Sequence, residues 1–117
     1  MELGLYVAVA DLSKSKQFYA TLFDTKPYVE NDNFVGFELA GGRFGLMKAA
    51  AYAHPLKQGN NTVPNIRVAD IGATYQLVKS LDPPMVQESI TDLGAMKLFI
   101  FMDPDNNVIE FHSLSKG

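Results

Sequence analysis

Two tandem β-α-β-β-β units, an α+β architecture, are what this 117-residue chain is expected to form. The chain repeats itself: Val9-Ala10-Asp11-Leu12 and Val68-Ala69-Asp70-Ile71 lie 59 positions apart, and each closes a short apolar run and opens a helical pattern. At that offset Gln17 meets Gln76, Phe18 meets Leu77 and Leu22 meets Leu81. A period near half the chain length marks two copies of one supersecondary unit rather than a solenoid. The same order of elements can be read twice, and one loop-like stretch, residues 49–62, separates the two readings.

Leu3 to Ala10 is apolar and suits a strand, with Asp11 behind it as a helix N-cap. Phe18, Tyr19, Leu22 and Phe23 then fall at helical spacing, which assigns them to core packing, and Asp24-Thr25-Lys26-Pro27 stops the helix. Tyr28 to Glu30 reads as a strand before the turn residues Asn31-Asp32-Asn33. Residues 34–40 and 43–48 flank Gly41-Gly42, a hairpin with a two-residue primed turn, and Glu38 is expected to face water. In the second unit, 63–68 is a strand, 70–81 a helix halted by Asp82-Pro83-Pro84, 85–90 a strand and 91–94 a turn. Met96 to Met102 and Val108 to His112 pair across Asp103-Pro104-Asp105-Asn106-Asn107, where a positive φ suits asparagine. The expectation is one domain over residues 1–117, with unit 1 over about 1–50, a linker over about 51–62 and unit 2 over about 63–117.

Composition narrows the function. With 47% hydrophobic residues the chain builds a core without covalent help, and with no cysteine it has no disulfide, thiolate metal site or cysteine nucleophile. Ten basic residues are spread without a cluster and the net charge is −3, which argues against nucleic acid as a partner. The N-terminal run has an early acid and no basic n-region, and no apolar stretch reaches the roughly 20 residues that span a bilayer. A soluble cytoplasmic domain without a membrane partner is expected.

Three stretches resemble the vicinal oxygen chelate superfamily of glyoxalase I, bleomycin-resistance proteins and extradiol dioxygenases. Val7 to Asp11 runs into Ser15-Lys16-Gln17-Phe18-Tyr19, similar to that family's first strand and its Ser-x-x-Phe-Tyr-like helix. Val35-Gly36-Phe37-Glu38-Leu39 followed by Phe44-Gly45-Leu46 resembles its third and fourth strands. Asp103-Pro104-Asp105-Asn106-Asn107-Val108-Ile109-Glu110-Phe111 is similar to the Asp-Pro-Asp-Gly-Asn-x-x-Glu motif of its last hairpin. The resemblance implies eight strands curled into a mixed, half-open, barrel-like sheet around a cavity, and it implies a homodimer.

It also implies where a metal would sit. Metal-dependent members take one ligand from each of four cavity-facing strands, typically His, Glu, His and Glu or Gln. Carried over by the flanking motifs, those slots fall on Gly4, Gly45, Val63 and Glu110. A two-residue shift, which keeps the face, substitutes Tyr6, Met47 or Asn65. Neither set supplies the three or four donors of a catalytic site, so no metal and no cofactor is expected. Glu110 and His112, two apart on one strand, could start a relocated metal site with His54 as a third ligand. Against it, His54 beside Pro55 in a polar loop reads as solvated, and a strand-end His112 as lying in solvent or capping the sheet. The Asp103 turn invites a calcium reading, but the glycine and terminal glutamate of a calcium loop are absent, which favours a hairpin with Asx turns.

If the Glu110 face looks inward, Tyr6, Met47, Asn65, Arg67 and His112 share it, and these six side chains are the expected ligand-binding set. Apolar volume with a few placed polar groups suits a small organic molecule. Arg67 would either hold a carboxylate or phosphate or form an internal ion pair with Glu110, and the pair is favoured because a lone buried charge is costly. Three functions stay open. One is bleomycin-resistance-like sequestration. Another is a glyoxalase-like lyase or isomerase, or a dioxygenase, with a non-standard site in which Glu110 and His112 are the candidate catalytic residues and Tyr6 a further acid–base group. The third is a subunit or accessory domain whose role is dimerisation.

Overall fold

The computed structural model describes residues 2–51 and 62–115, and the chain divides into two compact units, Met1–Gln58 and Gly59–Gly117. Most of the expected linker, His54 included, lies outside the described residues; Ala49–Ala51 forms a short 3-10 turn.

Unit 1 runs β1 (Gly4–Val9), α1 (Leu12–Phe23), β2 (Val29–Glu30), β3 (Phe34–Leu39) and β4 (Gly42–Lys48). Its mixed sheet has the order β1-β4-β3-β2, with β1 parallel to β4 and the other pairs antiparallel. Asp11 is extended (φ −113°) and its carboxylate accepts from the Lys14 N–H at 3.0 Å, satisfying one of the orphan donors that start α1. The helix ends where Asp24 turns left-handed (φ 50°) and the Thr25 N–H returns to the Ala20 carbonyl. Ser15, Phe18, Tyr19 and Leu22 form the buried helix face. They meet Val9, Val35, Phe37, Phe44 and Leu46, the inward residues of alternating strands. Tyr19 packs on Phe44 at 5.0 Å between ring centroids, and Phe23 sets its edge against Phe37 and Phe44, so the helical aromatics are core as expected.

The β3–β4 turn differs from expectation by one residue. Leu39 pairs with Gly42, so Ala40-Gly41 makes the turn, and among the described glycines of this unit only Gly42 has positive φ. The cause is steric: the Leu3 carbonyl oxygen lies 2.2 Å from where a Gly42 Cβ would stand. Gly42 serves the close approach of the segment before β1, whose Leu3 oxygen accepts from Arg43 N, and not the turn.

Unit 2 repeats the plan with β5 (Asn65–Arg67), α2 (Ile71–Ser80), β6 (Met85–Val86), β8 (Met96–Met102) and β9 (Val108–Leu114), and adds a two-residue β7 (Thr91–Asp92). The sheet order is β5-β9-β8-β6, β5 is parallel to β9, and β7 also pairs with β8. Asp70 caps α2 through Ala73 N at 3.0 Å, as Asp11 does α1. Ile71, Tyr75 and Val78 face Phe99, Phe101, Ile109 and Phe111. Phe101 stacks on Phe111, their planes 11° apart.

The strand expected over 85–90 stops at Val86, and part of the expected 91–94 turn is β7. Gln87 explains both departures. Its side-chain oxygen accepts from Ile100 N at 2.8 Å in place of a backbone carbonyl, and its own carbonyl takes the Tyr75 hydroxyl at 2.6 Å. The register then slips, with Val86 opposite Phe101 but Thr91 opposite Leu98, so residues 88–90 bulge before pairing resumes. The Asp103–Asn107 loop behaves as its residues suggest. Asn106 takes φ 65°, and the wholly buried Asp103 accepts from Asp105 N, Asn107 N and Asn107 Nδ2 at 2.8–3.0 Å.

Candidate functional site

With each helix covering one face of its sheet, strand alternation puts a second set of side chains on the other, helix-free face. In unit 1 that set includes Gly4, Tyr6 and Ala8 of β1, opposite Arg43, Gly45 and Met47 of β4, which in turn face Glu38, Gly36 and Phe34 of β3. In unit 2 it includes Asn65 and Arg67 opposite Glu110 and His112, which face Ile100 and Leu98. The shared face expected for Tyr6 with Met47, and for Asn65, Arg67, Glu110 and His112, is present within each unit. Glu38 is exposed, as expected, but on this helix-free face.

The unit 2 patch is wired differently from expectation. Asn65 Nδ2 donates to Glu110 Oε1, because the parallel register places the two residues directly across from one another. The same register sets Arg67 against His112, and Arg67 is exposed, so no lone buried charge demands a partner. Among the described residues the ion pairs are Lys16–Glu30 and Arg43–Glu2; the expected Arg67–Glu110 pair does not form. His112 is not a strand-end residue, since β9 continues to Leu114. Its ring is half-buried, and among the described residues its buried Nδ1 has no hydrogen-bond partner.

On unit 1 the helix-free face is aromatic. Gly36 and Gly45 are cross-strand partners, and the Phe34 ring lies over both: a Cβ on Gly45 would stand 2.5 Å from Phe34 Cζ, and one on Gly36 3.1 Å from Phe34 Cε1 and 2.8 Å from Tyr28 Cε1. Tyr6 meets the edge of Phe34 at 6.3 Å. The Arg43 guanidinium sits 5.9 Å from the Tyr28 ring centroid and binds Glu2 through Nε at 3.2 Å. Hydrogen bonding to Glu2, and then to Tyr28, holds Arg43 above the ordinary arginine range. These side chains, with Gly4 and Gly45, line an open hollow of about 330 Å³. Sequence reasoning found Tyr6 but missed Tyr28, Phe34 and Arg43. The signal was Phe34-Val35-Gly36, which puts an aromatic and a glycine on one face, with Gly45 brought opposite by the hairpin.

The family's metal can be tested against these residues. Gly4, Gly45 and Val63 have no donor side chains, and the space a side chain at 45 would enter is taken by Phe34. Glu110, the one donor, is already engaged by Asn65. Among the described residues no three of His, Cys, Asp and Glu come together as a metal site requires. The residues present do not fit a family-type metal centre.

No helix among the described residues is long and apolar enough to cross a membrane. No curated protein sequence matches the chain. Solved structures match in fold. A "conserved domain protein" is 19% identical, with TM-score 0.81, over 98% of this chain and 100% of its own. A glyoxalase/bleomycin resistance protein from Albidiferax ferrireducens T118 is 21% identical, with TM-score 0.76, over 94% of this chain and 96% of its own. A lactoylglutathione lyase from Agrobacterium tumefaciens is 15% identical, with TM-score 0.75, over 97% of this chain and 92% of its own. The family profile described as Glyoxalase/Bleomycin resistance protein/Dioxygenase superfamily matches residues 4–111, and with its two βαβββ-like modules in place the chain belongs to that superfamily.

Proposed function

We propose that this superfamily member works without a metal and binds a small organic molecule on the helix-free faces of its sheets, by sequestration of the bleomycin-resistance kind. One observation carries the reading: at position 45, a slot the resemblance assigns to a metal donor, the Phe34 ring lies over the Gly36–Gly45 pair. Apolar rings beside a few polar groups are the surface an organic ligand needs, and a poor one for a hydrated cation. Tyr6 and Met47 in unit 1, and Asn65, Arg67, Glu110 and His112 in unit 2, are the ligand-contacting residues of this proposal. A homodimer, usual in the family, belongs to it and is checked by light scattering.

Calorimetry with Ni²⁺, Zn²⁺, Mn²⁺ and Fe²⁺ on chelator-treated protein, beside elemental analysis, tests the metal-free half. No stoichiometric uptake is expected; micromolar or tighter uptake lost in Glu110→Ala overturns it. A thermal-shift screen of small carboxylates, aromatics and cationic drugs tests the binding half. At least one class is expected to raise Tm, with the gain reduced in Arg67→Ala and kept in the surface control Lys14→Ala.

His112 favours a second reading, metal-free acid–base chemistry as a lyase or isomerase. A half-buried imidazole on the strand face that carries Glu110, whose Nδ1 has no hydrogen-bond partner among the described residues, is suited to exchange a proton with a bound ligand through its exposed edge. Turnover of a bound ligand, abolished in His112→Gln with binding retained, would select this reading over sequestration.

A further inference from the structure

We infer that the unit 1 hollow is a site for a planar aromatic acid, with the rings of Tyr28 and Phe34 as its walls and Arg43 as its anion contact, and that Glu2 stands in for the ligand's carboxylate when the site is empty. The inference deepens the organic-ligand reading and rests on it. It selects one face, one ligand class and one competing side chain.

Four observations converge. The hollow, about 330 Å³, is at the lower end of the range of small-ligand sites, on the order of 300–1,000 Å³, so it suits one or two fused rings. Its rings keep exposed surface: Tyr6 is 42% and Tyr28 48% exposed, while Phe34 lies over the glycine pair beside them. A flat ligand entering there covers aromatic surface that the fold leaves uncovered. The backbone is approachable, because Gly4 projects no side chain and a Cβ built on it comes no nearer than 3.7 Å to any other group. Lastly, a cation is mounted at the rim: Arg43 lies beside the Tyr28 ring and, among the described residues, Glu2 is the carboxylate that holds it.

That ion pair is the chemical argument for an acid. Both partners are about half exposed, at 52% each, so the pair is weak and exchangeable. A ligand carboxylate replacing Glu2 keeps Arg43 neutralised, offers bidentate geometry to the guanidinium and carries its ring onto Tyr28 in the same movement. A cationic ligand would lie beside Arg43 and meet repulsion there. No covalent step is involved.

Fluorescence titration with 2-naphthoate is the test, with 2-naphthylmethylamine and cyclohexanecarboxylate as comparison probes. Saturable 1:1 binding of 2-naphthoate is expected, at least tenfold tighter than either comparison probe and weaker at higher salt. Arg43→Gln and Tyr28→Ala should each weaken it about tenfold, while Arg43→Lys, which keeps the charge but not the fork, falls between. Glu2→Gln should tighten it severalfold, an effect that a merely structural role for Glu2 would not produce. Circular dichroism and Tm confirm that these exposed-site variants fold. The inference is overturned if the amine binds better, if 2-naphthoate fails to bind, or if its binding ignores the unit 1 variants and falls in Arg67→Ala. In that last case, or if another organic ligand binds instead, the broader reading stands; metal uptake at Glu110 is what brings that reading down.

Discussion

In unit 1, Tyr6 of β1 stands opposite Gly45; 59 residues on, Asn65 of β5 stands opposite Glu110. The two places are equivalent in the repeat, yet they have opposite chemistry. At one, bare backbone is covered by an aromatic ring; at the other, a carboxylate is held by an amide. On the helix-covered faces the units stay alike, with Phe44 and Leu46 in one and Ile109 and Phe111 in the other, each packed under a helix that an aspartate caps. Packing against a helix restricts what a strand residue can be, because volume errors there cost stability. The other face carries no such restriction, so that is where the two copies differ and where ligand chemistry is to be sought.

The hairpins sharpen this contrast most. Unit 1 closes β3–β4 with Ala40-Gly41, whereas unit 2 closes β8–β9 around the buried carboxylate of Asp103. Asp103→Ala strands the N–H groups of Asp105 and Asn107 and the Asn107 amide. The two Asn107 donors are buried and each costs about 1–3 kcal/mol when left unmade, with a smaller contribution from the half-buried Asp105 N–H. A total loss of about 2–3 kcal/mol or more is therefore expected in urea unfolding. Gly41→Ala, where a Cβ meets nothing within 4 Å, should change stability by about 0.5 kcal/mol or less. Equal losses in the two variants would mean that the hairpins are closed alike.

A double-mutant cycle probes the aromatic cover. Gly45→Ala forces the Phe34 ring off its bed, and about 1–2 kcal/mol of destabilisation is expected. In a Phe34→Ala background most of that penalty should vanish, giving a coupling of about 1 kcal/mol. Strict additivity would show that Phe34 is not what keeps position 45 a glycine.

These two tests also mark how far the sequence could be read. The helix caps at Asp11 and Asp70, the helical aromatics and the left-handed Asn106 were legible because each rests on local chemistry or strict periodicity. The shared face of Asn65, Arg67, Glu110 and His112 was legible for the same reason, since period two needs no tertiary knowledge. What escaped depended on partners distant in sequence. Gly42 answers to Leu3, Gln87 ends β6 through Ile100, and Glu110 is satisfied by Asn65 rather than Arg67 because the register chooses the nearer side chain. Tyr28, Phe34 and Arg43 come to line one hollow only once β2, β3 and β4 lie side by side.

The polar place should respond more mildly than the aromatic one. Asn65→Ala removes the donor to Glu110, but both residues keep access to water, so about 0.5–1 kcal/mol is the expected loss, measured by denaturant midpoint. A loss above about 2 kcal/mol would mean that Glu110 depends on Asn65 as a buried charge does.

The smallest effect separates Gly4 and Gly45, two glycines on the same face of unit 1. Gly45 is a glycine because Phe34 lies on it, while Gly4 has only ordinary contacts, at 3.7–3.8 Å, around a built Cβ and no positive φ. Gly4→Ala therefore introduces no clash and reduces the freedom of the unfolded chain, which should raise stability by about 0.5 kcal/mol. Gly45→Ala has the opposite sign. Thermal unfolding of the two variants side by side checks this, since the sign alone is diagnostic. If both lose stability, a glycine at position 4 is needed by the fold itself; if only Gly45→Ala does, the fold places no such demand there.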